Sequence, residues 1–414
     1  MHGALLSVIS HRAADRNVEV SIGGYVLVLD RRRKSFWVRV IVETAVASVG
    51  IALLSCALIA NQRFLDRHFV PSFFLPRDWY VVLQTSGRLA MAIVGTWLVL
   101  VVRRRAGKFA ARTPAGALRI VIAVVLAIGT SELVLTRVHL RPGEWLSADD
   151  EPRRQLDPRL GWTWVPERTG HKSIGGRIID YSIDPAGYRV RRMDEPVDPE
   201  RPTILFTGES VMFGEGLTYE ESIPAQVGAM TGVQTANLAV HGYGNDQAYL
   251  RLQTELPHFR RPVAVVSLFM TALFGRNLDQ DRPHLGPGVV WLPAEQRSRL
   301  SSLTKLVVPY RADTTVERGV RVTQEVLRAN SELARAHGAT PLLVVLQFGH
   351  EAQPEQMLRR RILDDAGIPY VLVEIDSSWR LPWDRHPNAQ AAHAIATAIV
   401  SELRGRLTVT GPIK

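Results

Sequence analysis

A serine in a glycine-rich turn and an aspartate–histidine pair near the C-terminus are the residues best suited to chemistry in this sequence. Ser210 ends a Gly-Glu-Ser run, and Asp384 and His386 flank one arginine in the run DRHPN. A nucleophilic serine needs a base that takes its proton, and the base needs a group that orients it. We therefore predict Ser210 as the nucleophile, His386 as its base and Asp384 as the orienting acid.

The same residues admit a second interpretation, in which they have no chemical role. A serine at the start of a helix is most often a cap, and aspartate is common in turns. His386 would then be a polar surface residue. Because spacing along the chain fits both interpretations, the elements that position these residues decide between them.

Short apolar segments alternate with longer helical ones from residue 203 onward. The strand candidates are 203–207, 234–239, 263–269, 341–347 and 369–374, and the helix candidates are 219–230, 246–255, 316–337, 354–366 and 388–404. Such alternation predicts a parallel sheet covered by helices on both faces, with functional residues at the carboxyl ends of its strands. Ser210 follows the first strand and His386 follows the last, so both are expected at that edge.

Three sequence blocks in this region resemble those of the SGNH (GDSL-type) hydrolases, from about Gln155 to Leu403. The blocks are ILFTGESVMFGEGL, NLAVHGYGNDQ and DRHPN, and the preceding RLGWTWVP and YSIDPAGYR resemble the β-rich lead-in of bacterial extracytoplasmic members. The resemblance implies a three-layer, flavodoxin-like α/β fold. It also implies a triad of Ser210, Asp384 and His386, with the backbone amides of Ser210 and Gly242 in the oxyanion hole.

The sequence departs from the family pattern at three places. Glu209 stands where the first block has aspartate, and the last block has one residue instead of two between its acid and its histidine. The asparagine of the third block is missing from the turn after the third strand. We expect the Thr271 hydroxyl to replace it as an oxyanion donor, with Arg276 or Asn277 as alternatives.

Three apolar runs in the first 140 residues are each long enough to cross a membrane. They cover residues 37–60, 79–102 and 118–138, and nine of the ten net positive charges fall within residues 1–150. Basic residues favour the cytoplasmic side of a membrane. We therefore predict a multi-pass inner-membrane protein with a cytoplasmic N-terminal segment (1–36) and a transmembrane region (37–140). A β-rich lead-in (141–201) and an SGNH-like domain (202–405) would follow in the periplasm.

The composition narrows the possible partners further. The basic excess lies beside the apolar runs, which favours a membrane over nucleic acid as its cause. A single cysteine excludes intramolecular disulfides and zinc sites built from cysteines. The sequence shows no metal-ligand constellation and no phosphate-binding loop, so we expect neither metal nor cofactor.

The expected chemistry is acyl transfer at an ester, in particular an acetyl ester of a cell-surface or exported glycan. With water as acceptor the protein is an esterase. With a sugar hydroxyl as acceptor it is an O-acyltransferase, for which a membrane acyl-donor protein is an expected partner. Two alternatives remain open, namely an esterase of lipids or small molecules and a non-catalytic glycan-binding domain. The insertion at residues 270–315, which carries arginines and a tryptophan, is expected to cover the site partly.

Overall fold

The fold is described from a computed structural model. It covers residues 17–22, 25–73, 76–141, 144, 146–147, 150–295, 297–308, 310–383 and 385–407. The chain forms two compact units. One unit comprises residues 1–61 and 83–130, and the other comprises residues 62–82 and 131–414.

Long apolar helices make up most of the first unit. The elements up to residue 135 are the hairpin strands β1 (Asn17–Ile22) and β2 (Tyr25–Asp30), and the helices α1 (Arg31–Ile59), α2 (Gln62–His68), α3 (Arg77–Trp97), α4 (Arg103–Arg112) and α5 (Pro114–Leu135). Of these, α2 belongs to the second unit. A π-helical turn over Leu98–Val102 joins α3 to α4. The described part of the chain has three helices long and apolar enough to cross a membrane: Arg33–Ile59, Arg77–Arg112 and Pro114–Leu135. They coincide with the three apolar runs of the sequence.

Two glycines let the first two long helices approach closely. A Cβ atom placed on Gly95 would lie 2.8 Å from the Gly50 carbonyl oxygen, and one on Gly50 would lie 2.9 Å from that of Gly95. The backbones of these two helices are therefore in contact at Gly50 and Gly95, and a larger residue at either position would push the helices apart. Such close contacts at small residues are common between membrane helices. Nearby, Arg88 Nε donates to the Ala57 carbonyl oxygen at 2.9 Å.

An eight-stranded sheet is the centre of the second unit. Its strands, with two that form a separate hairpin, are β3 (Arg154–Asp157), β4 (Gly161–Trp164), β5 (Arg168–Ile174), β6 (Arg177–Ile183), β7 (Arg189–Val190), β8 (Thr203–Thr207), β9 (Gln234–Asn237), β10 (Pro262–Phe269), β13 (Thr340–Phe348) and β14 (Val371–Ile375). The order across the sheet is β14-β13-β10-β8-β9-β7-β6-β5. The strands from β14 to β9 are parallel, and β7, β6 and β5 extend the sheet in antiparallel fashion.

Helices cover both faces of the parallel part, which gives the three layers. They are α6 (Ser210–Phe213), α7 (Ile223–Thr231), α8 (Asn245–Glu255), α11 (Asp313–Ala336), α12 (Gln353–Arg359) and α13 (Ala389–Leu407). Ile204 and Phe206 of β8 pack in one apolar cluster with α7 and α13, whereas Leu205 between them packs in another with α8 and α11. This alternation explains why the three central residues of β8 are all apolar. The predicted flavodoxin-like order and all five parallel strands are confirmed.

The insertion after β10 has more regular structure than the sequence indicated. It contains α9 (Phe274–Asn277), the hairpin strands β11 (His284–Gly286) and β12 (Val290–Leu292), and α10 (Arg299–Val307). Ser298 caps α10 through its hydroxyl. The Glu132 carboxylate also accepts from the backbone amides of Arg299 and Leu300. The sequence did not indicate α10 because a cap and a carboxylate, rather than apolar periodicity, stabilise its N-terminus.

The segment between the first two candidate spans belongs to the second unit. We call residues 62–82 the inter-span segment. Its His68 carbonyl accepts from the Arg311 amide at 3.0 Å, and Phe69 forms a β-bridge with Tyr310. Val70 and Phe73 are buried in two different apolar clusters of this unit. The inter-span segment is therefore part of the core of the α/β unit and not only a connection.

Candidate active site

Ser210 and His386 meet at the carboxyl edge of the parallel sheet. Ser210 is the first residue of α6, three residues after β8, and His386 lies between β14 and α13. His386 Nε2 lies 2.8 Å from Ser210 Oγ, and both residues are buried. This is hydrogen-bond distance between a nucleophile and its general base. The arrangement contradicts the interpretation of Ser210 and His386 as a simple cap and a surface residue.

A buried arginine from the lead-in fixes the turn that presents the serine. Arg189 donates to the carbonyl oxygens of Phe213 and Gly214 at 2.8 Å and to that of Leu217 at 2.7 Å. Its guanidinium also lies over the rings of Tyr181 and Phe213. These carbonyls lie at the end of α6 and in the turn after it. One charged side chain thus ties three points of that turn together. The YSIDPAGYR block of the sequence thereby positions the nucleophile.

Two tryptophans from the RLGWTWVP block hold the loop that carries Gly242. Trp162 Nε1 donates to the His241 carbonyl at 2.8 Å, and Trp164 Nε1 donates to the Ala239 carbonyl at 3.0 Å. Gly242 has a φ of +84°, which favours glycine, and a Cβ there would lie 3.2 Å from Trp162. Its carbonyl accepts from Arg282 Nη1 at 2.7 Å.

The amides expected in the oxyanion hole remain available. Within the described part of the chain, neither the Ser210 nor the Gly242 backbone N–H donates to a protein acceptor. Ser210 N–H starts a helix, where amides lack an intrahelical acceptor. Such donors suit a negative oxygen that develops during reaction.

The turn after β10 places Arg276, and not Thr271, towards the serine. The Thr271 hydroxyl donates to Glu351 Oε1 at 2.9 Å, and Asn277 is bonded to Asn245 and Thr323. Arg276 Nη1 instead lies 3.4 Å from Glu209 Oε2. Of the three candidates for the third donor, Arg276 is the one whose side chain reaches the residue next to the nucleophile.

Glu209 has a contact with the nucleophile that the sequence did not indicate. Ser210 Oγ lies 2.6 Å from Glu209 Oε2 as well as 2.8 Å from His386 Nε2. A hydroxyl carries one proton and can donate it to one acceptor at a time. Glu209 therefore competes with His386 for the Ser210 proton, and an aspartate would be one methylene shorter at this point.

The remaining acid of the predicted triad, Asp384, lies outside the described residues, and its role stays a prediction. A second carboxylate, Glu215, is buried near His386. Its Oε2 lies 3.6 Å from His241 Nδ1, and its Oε1 lies 3.3 Å from Lys172 Nζ. Burial alone would raise the pKa of Glu215, but His241 and Lys172 outweigh it and hold that pKa well below its usual range. Glu215 thus adds a fixed negative charge close to the base.

A cavity of about 280 Å³ is lined by Phe73, which contacts His386, although neither Ser210 nor His386 itself lines it. The inter-span segment and Leu140 line one part and the turns after β9 and β10 line another, with these residues: Val70, Pro71, Ser72, Phe73, Tyr80, Leu140, His241, Gly242, Ala272, Leu273, Gly275, Arg276, Leu278, Asp279, Asp281, Arg282, Ser302, Lys305 and Arg311. The ring centre of Phe73 lies 5.3 Å from that of His386. The cavity is large enough for an acyl group and part of an alcohol, with Gly242 and Arg276 at its surface.

Sequence reasoning missed the role of Phe73. The run FVPSFF between the first two apolar runs contains three aromatic residues and is too apolar for a short exposed loop. This apolar composition could have indicated that the segment is buried against the rest of the protein.

We expect Phe73→Leu to reduce kcat/KM for ester substrates about 10-fold, since small displacements at the base are costly. Leucine keeps the position apolar and protects folding. Phe64→Leu, at an exposed site of the same segment, is the matched control and should change little. Measurement of initial rates with full-length protein in detergent checks this, and equal rates for Phe73→Leu and wild type would contradict a role of Phe73 in positioning His386.

With this geometry established, comparisons with known proteins can be set beside it. No protein-family model matches the sequence, and no curated protein matches it significantly. Among solved structures, the chain is similar to a member of the lipolytic protein G-D-S-L family from Veillonella parvula, with 11% identity and a TM-score of 0.31 over 48% of this chain and 96% of that one.

Two carbohydrate-active esterases are also similar. An acetyl xylan esterase from Butyrivibrio proteoclasticus has 12% identity and a TM-score of 0.33, over 52% of this chain and 66% of that one. A family two carbohydrate esterase from Clostridium thermocellum, in complex with cellohexaose, has 14% identity and a TM-score of 0.33, over 52% and 67%. At such identities and TM-scores no activity follows from likeness, and function must be argued from the site.

Proposed function

We propose that this protein is a membrane-anchored serine esterase or O-acyltransferase of the SGNH type. It acts outside the cytoplasm on acyl esters, in particular acetyl esters, of a cell-surface or exported glycan. The observation that carries the proposal is the buried Ser210–His386 contact of 2.8 Å beside two available backbone amides.

The mechanism follows from the positions of these groups. His386 Nε2 takes the Ser210 proton while Oγ attacks the carbonyl carbon of the ester and forms the tetrahedral intermediate. The amides of Ser210 and Gly242 donate to its oxyanion. His386 then gives the proton to the departing alcohol oxygen, and the acyl group remains on Ser210. Water releases it as a carboxylic acid, whereas a sugar hydroxyl takes it as a new ester.

Arg276 supplies the third donor to the oxyanion in this proposal. Its guanidinium already contacts a negatively charged oxygen, Glu209 Oε2, that lies 2.6 Å from Ser210 Oγ. An oxyanion on the attacked carbon lies at a similar distance from Oγ. When the substrate enters, Arg276 can turn from Glu209 to the oxyanion.

A glycan ester is supported by the surroundings of the site. The insertion contributes Arg276 and Arg282 to the cavity, and Phe73 and Tyr80 contribute aromatic rings to it. Aromatic faces and fixed hydrogen-bond donors suit sugar rings and their hydroxyls. A domain tethered to a membrane also meets cell-surface polymer at high local concentration.

The location outside the cytoplasm is tested by reporter fusions. Arginine and lysine cluster before the first span and after the second, so those ends should stay in the cytoplasm. A phosphatase that folds only outside the cytoplasm should be active when fused after Arg141 and inactive when fused after Lys108. The reverse pattern would contradict both the topology and an extracytoplasmic substrate.

The activity is tested with full-length protein in detergent micelles. Acetate release is measured from p-nitrophenyl acetate, from O-acetylated polysaccharide and from short-chain glycerol esters, and acetyl transfer to unacetylated polysaccharide is measured in parallel. The proposal predicts release from, or transfer to, the polysaccharide. Cleavage of glycerol esters alone would replace it with a lipid esterase. Polysaccharide binding with no turnover of any ester would leave a non-catalytic binding domain.

A further inference from the structure

A second groove lies beside the chain segment that leads to His386. It has a volume of about 320 Å³ and is lined by Phe348, Ser377, Arg380, Leu381, Pro382, Trp383 and Arg385. It is joined to the base through the backbone, because the Leu381 amide donates to the His386 carbonyl at 2.7 Å. Arg380 also forms a β-bridge with Pro387. The groove therefore has a fixed position relative to the imidazole.

Two arginines give this groove a positive charge. The Arg380 guanidinium lies 3.9 Å from the ring centre of Phe348 and 5.6 Å from that of Phe73. Its Nη1 donates to the Arg385 carbonyl at 2.7 Å. Burial, and next the charge of Arg385, lower the pKa of Arg380 to about 10. Among the described residues, no carboxylate forms an ion pair with either arginine.

Arg385 adds two features that point to a ligand. Its Nε is buried and has no hydrogen-bond acceptor among the described residues. Its backbone has a φ of +68°, a conformation that costs a non-glycine residue of the order of 1 kcal/mol. Trp383, two residues earlier, gives the groove an apolar face. A planar anion attached to a ring would satisfy the guanidinium groups and pack on the tryptophan.

The chemistry of the base indicates which part of the substrate lies here. His386 returns its proton to the departing alcohol oxygen, so the alcohol lies on the His386 side of the site and the acyl group lies towards the oxyanion donors. The alcohol of a glycan ester is the sugar. The groove is lined by residues whose backbone is hydrogen-bonded to that of His386. It is therefore placed to receive the sugar next to the esterified one.

We propose that this groove binds the carboxylate of a uronic acid residue, so that the substrate is an ester of an acidic polysaccharide. The inference rests on the proposed function and names its substrate class. A carboxylate accepts two parallel hydrogen bonds from one guanidinium, which a neutral hydroxymethyl group cannot do.

The test is equilibrium binding to full-length Ser210→Ala protein in detergent, which cannot turn the ligands over. The probes are oligogalacturonate and its methyl ester, in which a methyl group removes the charge of each carboxyl group. Oligogalacturonate should bind about 10-fold more tightly, and added salt should reduce the difference. In Arg380→Gln and Arg385→Gln backgrounds the two ligands should bind alike. Arg260→Gln, at an exposed site, is the control and should preserve the difference.

Other outcomes overturn the proposal. Equal binding of the acid and the ester, or a preference that survives both arginine substitutions, would show that the groove does not recognise a carboxylate. Tighter binding of a polyglycerol phosphate would assign the groove to a phosphate. Because the readout is binding, the result stands whether or not the protein cleaves esters, and acetate release tests that separately.

Discussion

Replacing Ser210 or His386 by alanine should reduce ester turnover by at least about 10⁴-fold, while the free energy of unfolding changes little. The two side chains act as one unit, so the double variant should be no worse than either single variant. Initial rates with p-nitrophenyl acetate, together with thermal unfolding of each variant in detergent, check both statements.

His393 provides a matched control for the histidine. It lies on α13, is exposed, and contacts Gln226 Oε1 through Nδ1 at 2.7 Å. His393→Ala should keep nearly full activity. If His393→Ala lost activity and His386→Ala kept it, the assignment of the base would be wrong.

Replacing Arg276 by alanine should lower kcat by about 10²–10³-fold with a much smaller change in KM, as for the loss of one oxyanion donor. The interaction with the oxyanion strengthens in the transition state, which explains why kcat should carry the loss. Guanidinium ion added to Arg276→Ala should restore part of the rate, because it can enter the space that the side chain leaves. A purely structural ion pair with Glu209 would give no such rescue of kcat.

Thr271→Val separates this assignment from the one that the sequence suggested. The Thr271 hydroxyl is bonded to Glu351, so its removal should leave kcat within a few-fold of wild type. A loss on Thr271→Val as large as that on Arg276→Ala, without guanidinium rescue of the latter, would return the third donor to Thr271.

The α/β fold could be predicted from the sequence because its strands are buried on both faces. A strand such as β8 is buried at every position and apolar at its three central ones, and the structure places it at Thr203–Thr207 as expected. β13 extends one residue beyond its predicted range at each end, since hydrogen bonding, and not hydropathy, sets where a strand ends. Ser210 and His386 could be placed together because both follow parallel strands, whose carboxyl ends share one edge.

The rest of the site depends on contacts between residues far apart in sequence. Phe73 reaches His386 across more than 300 residues, and no local pattern encodes that contact. Arg276 and Thr271 lie on one turn, and which of them faces the serine depends on Glu209 and Glu351. The conflict between Glu209 and His386 for one proton becomes visible only once both distances to Ser210 Oγ are known.

Covalent labelling of the nucleophile tests the central claim most directly. Full-length protein in detergent is treated with a fluorophosphonate, digested, and analysed by mass spectrometry. A serine activated by His386 should give a single adduct on Ser210, and labelling should be at least about 100-fold slower in His386→Ala. An adduct on a different residue, or ester turnover with no adduct on Ser210, would contradict the assignment of Ser210 as the nucleophile.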